Sequence, residues 1–207
     1  MIDFFVFGSI AYLLGSIPTA VWVGKAKYGV DVREHGSKNA GATNTFRVLG
    51  KKPGIVVLSI DILKGMVAVM LPYFAGVGAW YSEELINVKL VCALLAVIGH
   101  VLPVFAGFKG GKGVATSLGV IIGVHPAAAG ICLLLFLVVF ISSQFVSLGA
   151  ITAALSFPLT IVFYFQTNSV WLVAFSVVLS LAVIYAHRKN IGRLLNGEEN
   201  RMNLFKK

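Results

Sequence analysis

Seven stretches of this chain carry few or no charges, and most are longer than a soluble core requires: residues 2–23, 54–80, 85–108, 114–124, 127–141, 148–165 and 170–186. Crossing a hydrocarbon core about 30 Å thick takes about 20 apolar residues as helix, and every backbone amide and carbonyl inside it has to be satisfied. Continuous apolar runs also exclude the alternating pattern of a membrane barrel. With 58% of its 207 residues hydrophobic and 12% charged, the chain lacks the polar surface that a water-soluble domain needs. It is read as an all-α, polytopic integral membrane protein.

Charge placement gives a topology. Asp3 precedes the first run, and the basic residues Lys25, Lys27, Arg33, Lys38, Arg47, Lys51 and Lys52 follow it, the reverse of a secretory signal. Lys109 and Lys112 follow the third run, and Arg188, Lys189, Arg193, Arg201, Lys206 and Lys207 make the tail basic. The positive-inside bias puts these three groups in the cytoplasm and the N-terminus outside. Returning from Lys112 to a cytoplasmic tail takes an even number of crossings, so 114–141 is expected to break at His125 and Pro126, giving seven transmembrane helices. The first half of that pair, 11 residues or ~17 Å of helix, is short for a span and is expected to stop partway, shielded by neighbours. No linker divides the chain, which is read as one domain, 1–207.

The net charge of +9 lies in short loops and a tail beside apolar spans, without a nucleic-acid-binding motif, so anionic lipid headgroups and phosphorylated substrates are the expected partners, not nucleic acid. Cys92 and Cys132 lie inside apolar runs with no Cys-x-x-Cys spacing, and they read as small core residues outside any disulfide or metal site. Lys89 is expected to snorkel to the outer surface, and His125 beside Pro126 to form an outer turn.

Three polar clusters carry the chemistry. Gly107, Phe108, Lys109, Gly110, Gly111, Lys112 and Gly113 place four glycines and two lysines directly before a helix-compatible segment. Glycines let successive amides turn toward one point, so the run reads as a phosphate cradle, although a cytoplasmic turn with positive-inside lysines has the same composition. In Gly36, Ser37, Lys38, Asn39, Ala40, Gly41, Ala42, Thr43 and Asn44, Ser37 is a candidate helix N-cap. A helix from that point would put Ala40, Thr43, Asn44 and Arg47 on one face, and Arg47 can grip a phosphate bidentately; ordinary turn chemistry fits the same residues. After the last span, a continuing helix would align His187, Asn190, Ile191 and Leu194, with an interfacial histidine as the alternative. Ser147 could cap the sixth span or bind substrate. Asp61 and Lys64, at i and i+3 within the second span, either support the site or form a structural ion pair. His100 reads as a hydrogen-bonded helix-end residue.

Neither His-x4-Asp nor Gly-x-Ser-x-Gly occurs, and no acidic residues group with histidines as metal ligands would. Taken in order, Gly15-Ser16-Ile17-Pro18 with residues 36–44, residues 99–113, Ser147-Leu148-Gly149 and residues 187–199 resemble the bacterial acyl-phosphate:glycerol-3-phosphate acyltransferases, the PlsY family, over nearly the whole chain. Lys38 departs from the resemblance, which would place glycine there. The resemblance implies a seven-helix enzyme of the bacterial inner membrane with its active site facing the cytoplasm. It would move an acyl group from acyl phosphate to the first hydroxyl of glycerol 3-phosphate, giving 1-acyl-glycerol 3-phosphate and inorganic phosphate in phospholipid synthesis. By the same resemblance, Ser37, Thr43, Lys112, Ser147, His187 and Asn190 are expected in the catalytic step. Asn39, Asn44, Arg47, Gly107, Lys109, Gly110, Gly111, Gly113 and Glu199 are expected to bind substrate, with no cofactor and no metal.

The residue set suits that chemistry. An acyl phosphate is already a mixed anhydride, so alignment of the reactants and stabilisation of the leaving phosphate suffice without a covalent nucleophile. The proton acceptor is either His187 or a phosphate of bound substrate, whose second pKa lies near neutrality. The rival classes are a transporter or flippase for a phosphorylated metabolite or lipid, which would show repeated halves and mid-membrane polar groups in several spans, and a lipid-phosphate phosphatase, which lacks metal ligands here.

Overall fold

The computed structural model describes residues 2–80 and 82–202, so the expected tail cations Lys206 and Lys207 lie outside the described part. Every regular element among the described residues is helical. The chain forms two compact units, Met1–His125 and Pro126–Lys207.

The first unit holds α1 (Ile2–Gly15), α2 (Thr19–Tyr28), α3 (Ala42–Leu49), α4 (Lys51–Phe74), α5 (Glu83–Val101) and α6 (Val114–Val124). The first apolar run is thus two helices. Pro18 lacks an amide and disfavours helical backbone at Ile17, and the chain turns there, although 2–28 remains long and apolar enough for one span. α1 packs on α5, and α4 on α6, through small residues. A β-carbon on Gly99 would collide with the Tyr12 carbonyl, and one on Gly65 would lie 2.5 Å from the Thr116 carbonyl, so backbone meets backbone at both seams.

α6 has the expected bounds and length, and the chain breaks at His125 and Pro126 as the charge parity requires. Its C-terminal end is satisfied from an unexpected source. Lys89 does not snorkel outward: it is buried, its Nζ donates to the Gly123 carbonyl at 3.2 Å, and it lies 4.0 Å from the centre of the Trp80 ring. The last carbonyls of a helix attract a cation, and a helix this short presents them inside the unit.

The second unit holds α7 (Pro126–Ser143), α8 (Val146–Leu159), α9 (Val170–Ala186) and α10 (Arg188–Leu195), with α8 packed between α7 and α9. Pro158 removes an amide from α8, and the next turn, Thr160–Tyr164, widens to a π-helix in which the Phe165 amide reaches the Thr160 carbonyl at 3.0 Å. α9 does not run on straight as the shared face of His187, Asn190, Ile191 and Leu194 assumed. It bends by 60° into α10, with His187 at the corner. Cys92 and Cys132 are both buried, as core residues of their own units.

Among the described residues, five helical segments are long and apolar enough to cross a membrane, or six when the bent α9–α10 pair is counted as one, and α6 is a shorter apolar helix beside them.

Candidate active site

The loop between α2 and α3 is organised by two side chains. Asp31 caps a single 3-10 turn, Val32–Glu34: its Oδ1 accepts from the Arg33 amide and from Arg33 Nε, both at 3.0 Å, and its Oδ2 pairs with Arg33 Nη2 at 2.7 Å and Lys25 Nζ at 3.1 Å. The hydrogen bonds from Arg33 outweigh partial burial and hold the Asp31 carboxyl well below the usual carboxylate range, and the same pairing raises the Arg33 guanidinium. Asn44 is 1% exposed. Its Nδ2 donates to the carbonyls of Val32, His35 and Asn39, and its Oδ1 accepts the Ser37 amide at 2.8 Å. All of its polar atoms are therefore spent on backbone, and Asn44 is a clasp for this loop, not an open ligand contact as the sequence suggested.

Ser37 is not an N-cap. α3 starts five residues later, behind Gly41, because Gly36 and Lys38 both adopt left-handed backbone, with φ of 58° and 56°, that no helix accommodates. Ser37 and Arg47 are exposed, and Asn39 and Thr43 are half-buried. A β-carbon on Gly36 would lie 2.5 Å from Asn44 Oδ1 and 3.5 Å from Arg47 Cδ, so this turn, the clasp and the arginine are neighbours.

The glycine run is a loop, as expected, but its amides do not converge on an outside point. The amides of Phe108, Lys109, Gly110 and Gly111 donate to the carbonyls of Pro103, Ala106, Val101 and His100, folding the run back onto the end of α5. Glycine is required here for packing: β-carbons on Gly110 and Gly111 would strike the His100 carbonyl and the His100 ring. The end of the run leads into α6. Lys112 is half-buried, Gly113 turns the chain with φ of 81°, and the amides of Val114, Ala115 and Thr116 precede the first helical bond of α6, from the Ser117 amide to the Gly113 carbonyl at 2.7 Å.

Arg33, which sequence reasoning counted only as a loop charge, ties the two loops together. Its Nη1 donates to the carbonyl of Ala106, the residue before Gly107, at 2.9 Å. The two loops then flank an open cleft of about 520 Å³ lined by Asp31, Arg33, Glu34, Lys38, Ala106, Gly107, Lys109 and Gly110. Asp31, two residues before Arg33, was the available signal, since that spacing allows an aspartate to cap a turn and orient the arginine. Beneath the glycine run, Asp61 joins three elements: it pairs with Lys64 at 2.7 Å, accepts from Thr19 Oγ1 at 3.0 Å and lies 3.7 Å from His100 Nδ1. Lys64 also donates to the Ile17 carbonyl at 2.8 Å. The intramembrane ion pair thus braces the α1–α2 turn and the ring on which Gly111 rests.

In the second unit three of the expected residues meet. Glu199 Oε1 accepts from Ser147 Oγ at 2.9 Å and Asn190 Nδ2 at 2.6 Å, and Oε2 accepts from Arg193 Nε at 2.7 Å. Burial pushes the Glu199 carboxyl upward, but the bonds from Asn190, Arg193 and Ser147 outweigh it and hold the group below its ordinary value. Ser147 does not cap α8, which begins one residue before it with Phe145 at the cap. Buried His187 turns its Nδ1 to the Val183 carbonyl at 2.8 Å, which directs Nε2 away from its own helix.

Long apolar helices joined by polar, cation-bearing loops define a polytopic helical membrane protein. The family model for glycerol-3-phosphate acyltransferase matches residues 5–197. Among relatives, the glycerol-3-phosphate acyltransferase of Fusobacterium nucleatum is 45% identical, over 96% of this chain and 97% of its own length. That of Chlorobaculum tepidum is 41% identical, with both chains covered in full. A crystal structure of PlsY, described as an integral membrane glycerol 3-phosphate acyltransferase in its glycerol 3-phosphate form, matches with a TM-score of 0.87 and 40% identity, over 98% of this chain and 99% of that one. Its lysophosphatidic acid form gives 0.83 at 40% identity, over 97% and 95%. This chain belongs to the glycerol-3-phosphate acyltransferase family of the PlsY type.

Proposed function

We propose that this membrane acyltransferase transfers a fatty acyl group from acyl phosphate to the first hydroxyl of glycerol 3-phosphate, releasing 1-acyl-glycerol 3-phosphate and inorganic phosphate. It does so from the bacterial inner membrane, with seven membrane-inserted helices and the loops of the site facing the cytoplasm. The observation that carries this reading is the Arg33 bridge, which fixes the glycine run beside the loop that bears Ser37 and leads into α3 with Thr43 and Arg47. Two anion-suited loops held side by side are what a transfer between two phosphorylated reactants requires.

In this assignment the donor's phosphate lies at the start of α6. The amides of Val114 to Thr116 and the ammonium of Lys112 stabilise the charge that grows on the leaving phosphate as the carbonyl carbon–oxygen bond breaks. Arg47, with Ser37, Asn39 and Thr43, holds glycerol 3-phosphate, while Asn44 shapes their loop. Gly107, Lys109, Gly110 and Gly111 set the position of Lys112 and Gly113. In the second unit, Ser147, His187 and Asn190 are assigned to the catalytic step, with Glu199 holding Ser147 and Asn190 in place. The hydroxyl proton passes to a phosphate oxygen of the bound substrate, so no cofactor, metal or covalent intermediate enters.

Purified protein given acyl phosphate and glycerol 3-phosphate in detergent should form acylated product with stoichiometric phosphate release. Uptake of glycerol 3-phosphate into vesicles without acylation would make the protein a transporter, and phosphate release without acylation would make it a hydrolase.

A further inference from the structure

The cleft between the two loops has a property that the transfer chemistry does not require. Lys38, in its wall, is held at φ 56°, in a backbone region that favours glycine and is costly for a residue with a β-carbon. Strain of this kind persists only where the surrounding structure holds it, and such positions cluster at functional sites. Across the cleft stands Lys109, also exposed, and among the described residues neither lysine forms an ion pair. The other charges are accounted for differently. Arg33 and Lys25 are both engaged by Asp31, and Glu34 is the one further carboxylate in the lining. Counting Lys25, Arg33, Lys38 and Lys109 against Asp31 and Glu34 leaves the mouth of the cleft at +2.

We infer that Lys38 and Lys109 form an outer docking site for a phosphate monoester in the cleft between the two loops. The ligand class follows from the donors. Two ammonium groups on flexible stems are point charges that attract a dianion without the bidentate grip of a guanidinium, and the guanidinium in this cleft is already held by Asp31. Glu34 opposes them and keeps occupancy short. Such an arrangement raises local ligand concentration and association rate more than final affinity, and salt suppresses it. Assigning the ligand as glycerol 3-phosphate rests on the proposed function, whereas the phosphate headgroup of the acyl donor has the same chemistry.

Lys38→Gly tests this without risk to folding, since glycine relieves the left-handed turn and should raise the thermal midpoint. In that variant kcat/KM for glycerol 3-phosphate should fall by about threefold to tenfold at low ionic strength. The deficit should vanish near 0.5 M salt, with kcat at saturation unchanged, and inorganic phosphate should bind more weakly by calorimetry. Varying each reactant separately identifies the source: a loss confined to acyl phosphate would assign the site to the donor's headgroup. Wild-type kcat/KM, salt slope and phosphate affinity in the variant would overturn the inference, as would a lowered thermal midpoint, which would give Lys38 a structural reason to be there. If the wild-type protein makes no acylated product while phosphate binding still depends on Lys38, the docking site stands and the proposed reaction falls.

Discussion

Glu199→Gln should loosen the segment after α10 by a defined amount. The carboxylate receives three donors, from Ser147, Asn190 and Arg193. An amide in its place keeps one oxygen but turns an NH2 either against Arg193 or against the Ser147–Asn190 pair, so at least one charge-assisted hydrogen bond is lost. Such bonds contribute about 1.5–3 kcal/mol. Because the Arg193 side chain is 35% exposed and partly screened, about 2 kcal/mol is expected. That corresponds to roughly 30-fold more frequent local opening. Two backbone bonds report it: Met202 N–H to the Gln144 carbonyl and Glu198 N–H to the Arg193 carbonyl, both 2.8 Å. Amide hydrogen exchange at neutral pH should show protection at Met202 and Glu198 falling by about 30-fold while the middle of α8 is unaffected. The pH dependence has a fixed sign. Since the folded-state pKa of Glu199 is depressed, its contribution is complete above the ordinary carboxylate value and is lost as pH falls through the lowered one. The wild-type protein should therefore lose protection in acid while the glutamine variant shows no such step. Protection within threefold of wild type in the variant would refute the reasoning.

The other expectations concern turnover and packing. Lys112→Ala should lower kcat by roughly 10²–10³, by analogy with removal of one oxyanion donor, and near-normal steady-state rates would contradict its place at the leaving phosphate. His187→Gln keeps a hydrogen-bonding side chain and should retain substantial single-turnover acylation if, as proposed, a substrate phosphate takes the proton; collapse of the chemical step with binding intact would make His187 the base. Gly111→Ala should cost about 1–3 kcal/mol through overpacking against His100, read as a lowered thermal midpoint in detergent. An unchanged midpoint would mean that the loop can lift off α5.

Apolar run length made most of the fold legible. The bounds 114–124 and 170–186 read from composition coincide with α6 and α9, and the break at His125 followed from charge parity alone. What the sequence could not reveal depends on contacts between segments distant in the chain. The glycine run was recognisable as a loop, but the inward direction of its amides is decided by carbonyls at the end of α5. Lys89 looked like a snorkelling lysine because its acceptor, the Gly123 carbonyl, is 34 residues away. Asn44 and Glu199 were singled out, yet their work as clasps became apparent only with their partners in place. Arg33 was passed over because its bond to Ala106 joins residues 73 positions apart.

The seam between α4 and α6 has a consequence for where the reaction takes place. α4 starts at Lys51, and Gly65, which touches the first turn of α6, lies ~21 Å further along its axis. On the proposed topology, with Lys51 and Lys52 at the headgroups, the start of α6 would lie about that far toward the bilayer midplane. In the proposed reaction a water-soluble acceptor would have to reach that depth, while the acyl chain of the donor would lie among the lipid tails. In that assignment, charge growing on the leaving phosphate would meet Lys112 with much less water to screen it than at the surface.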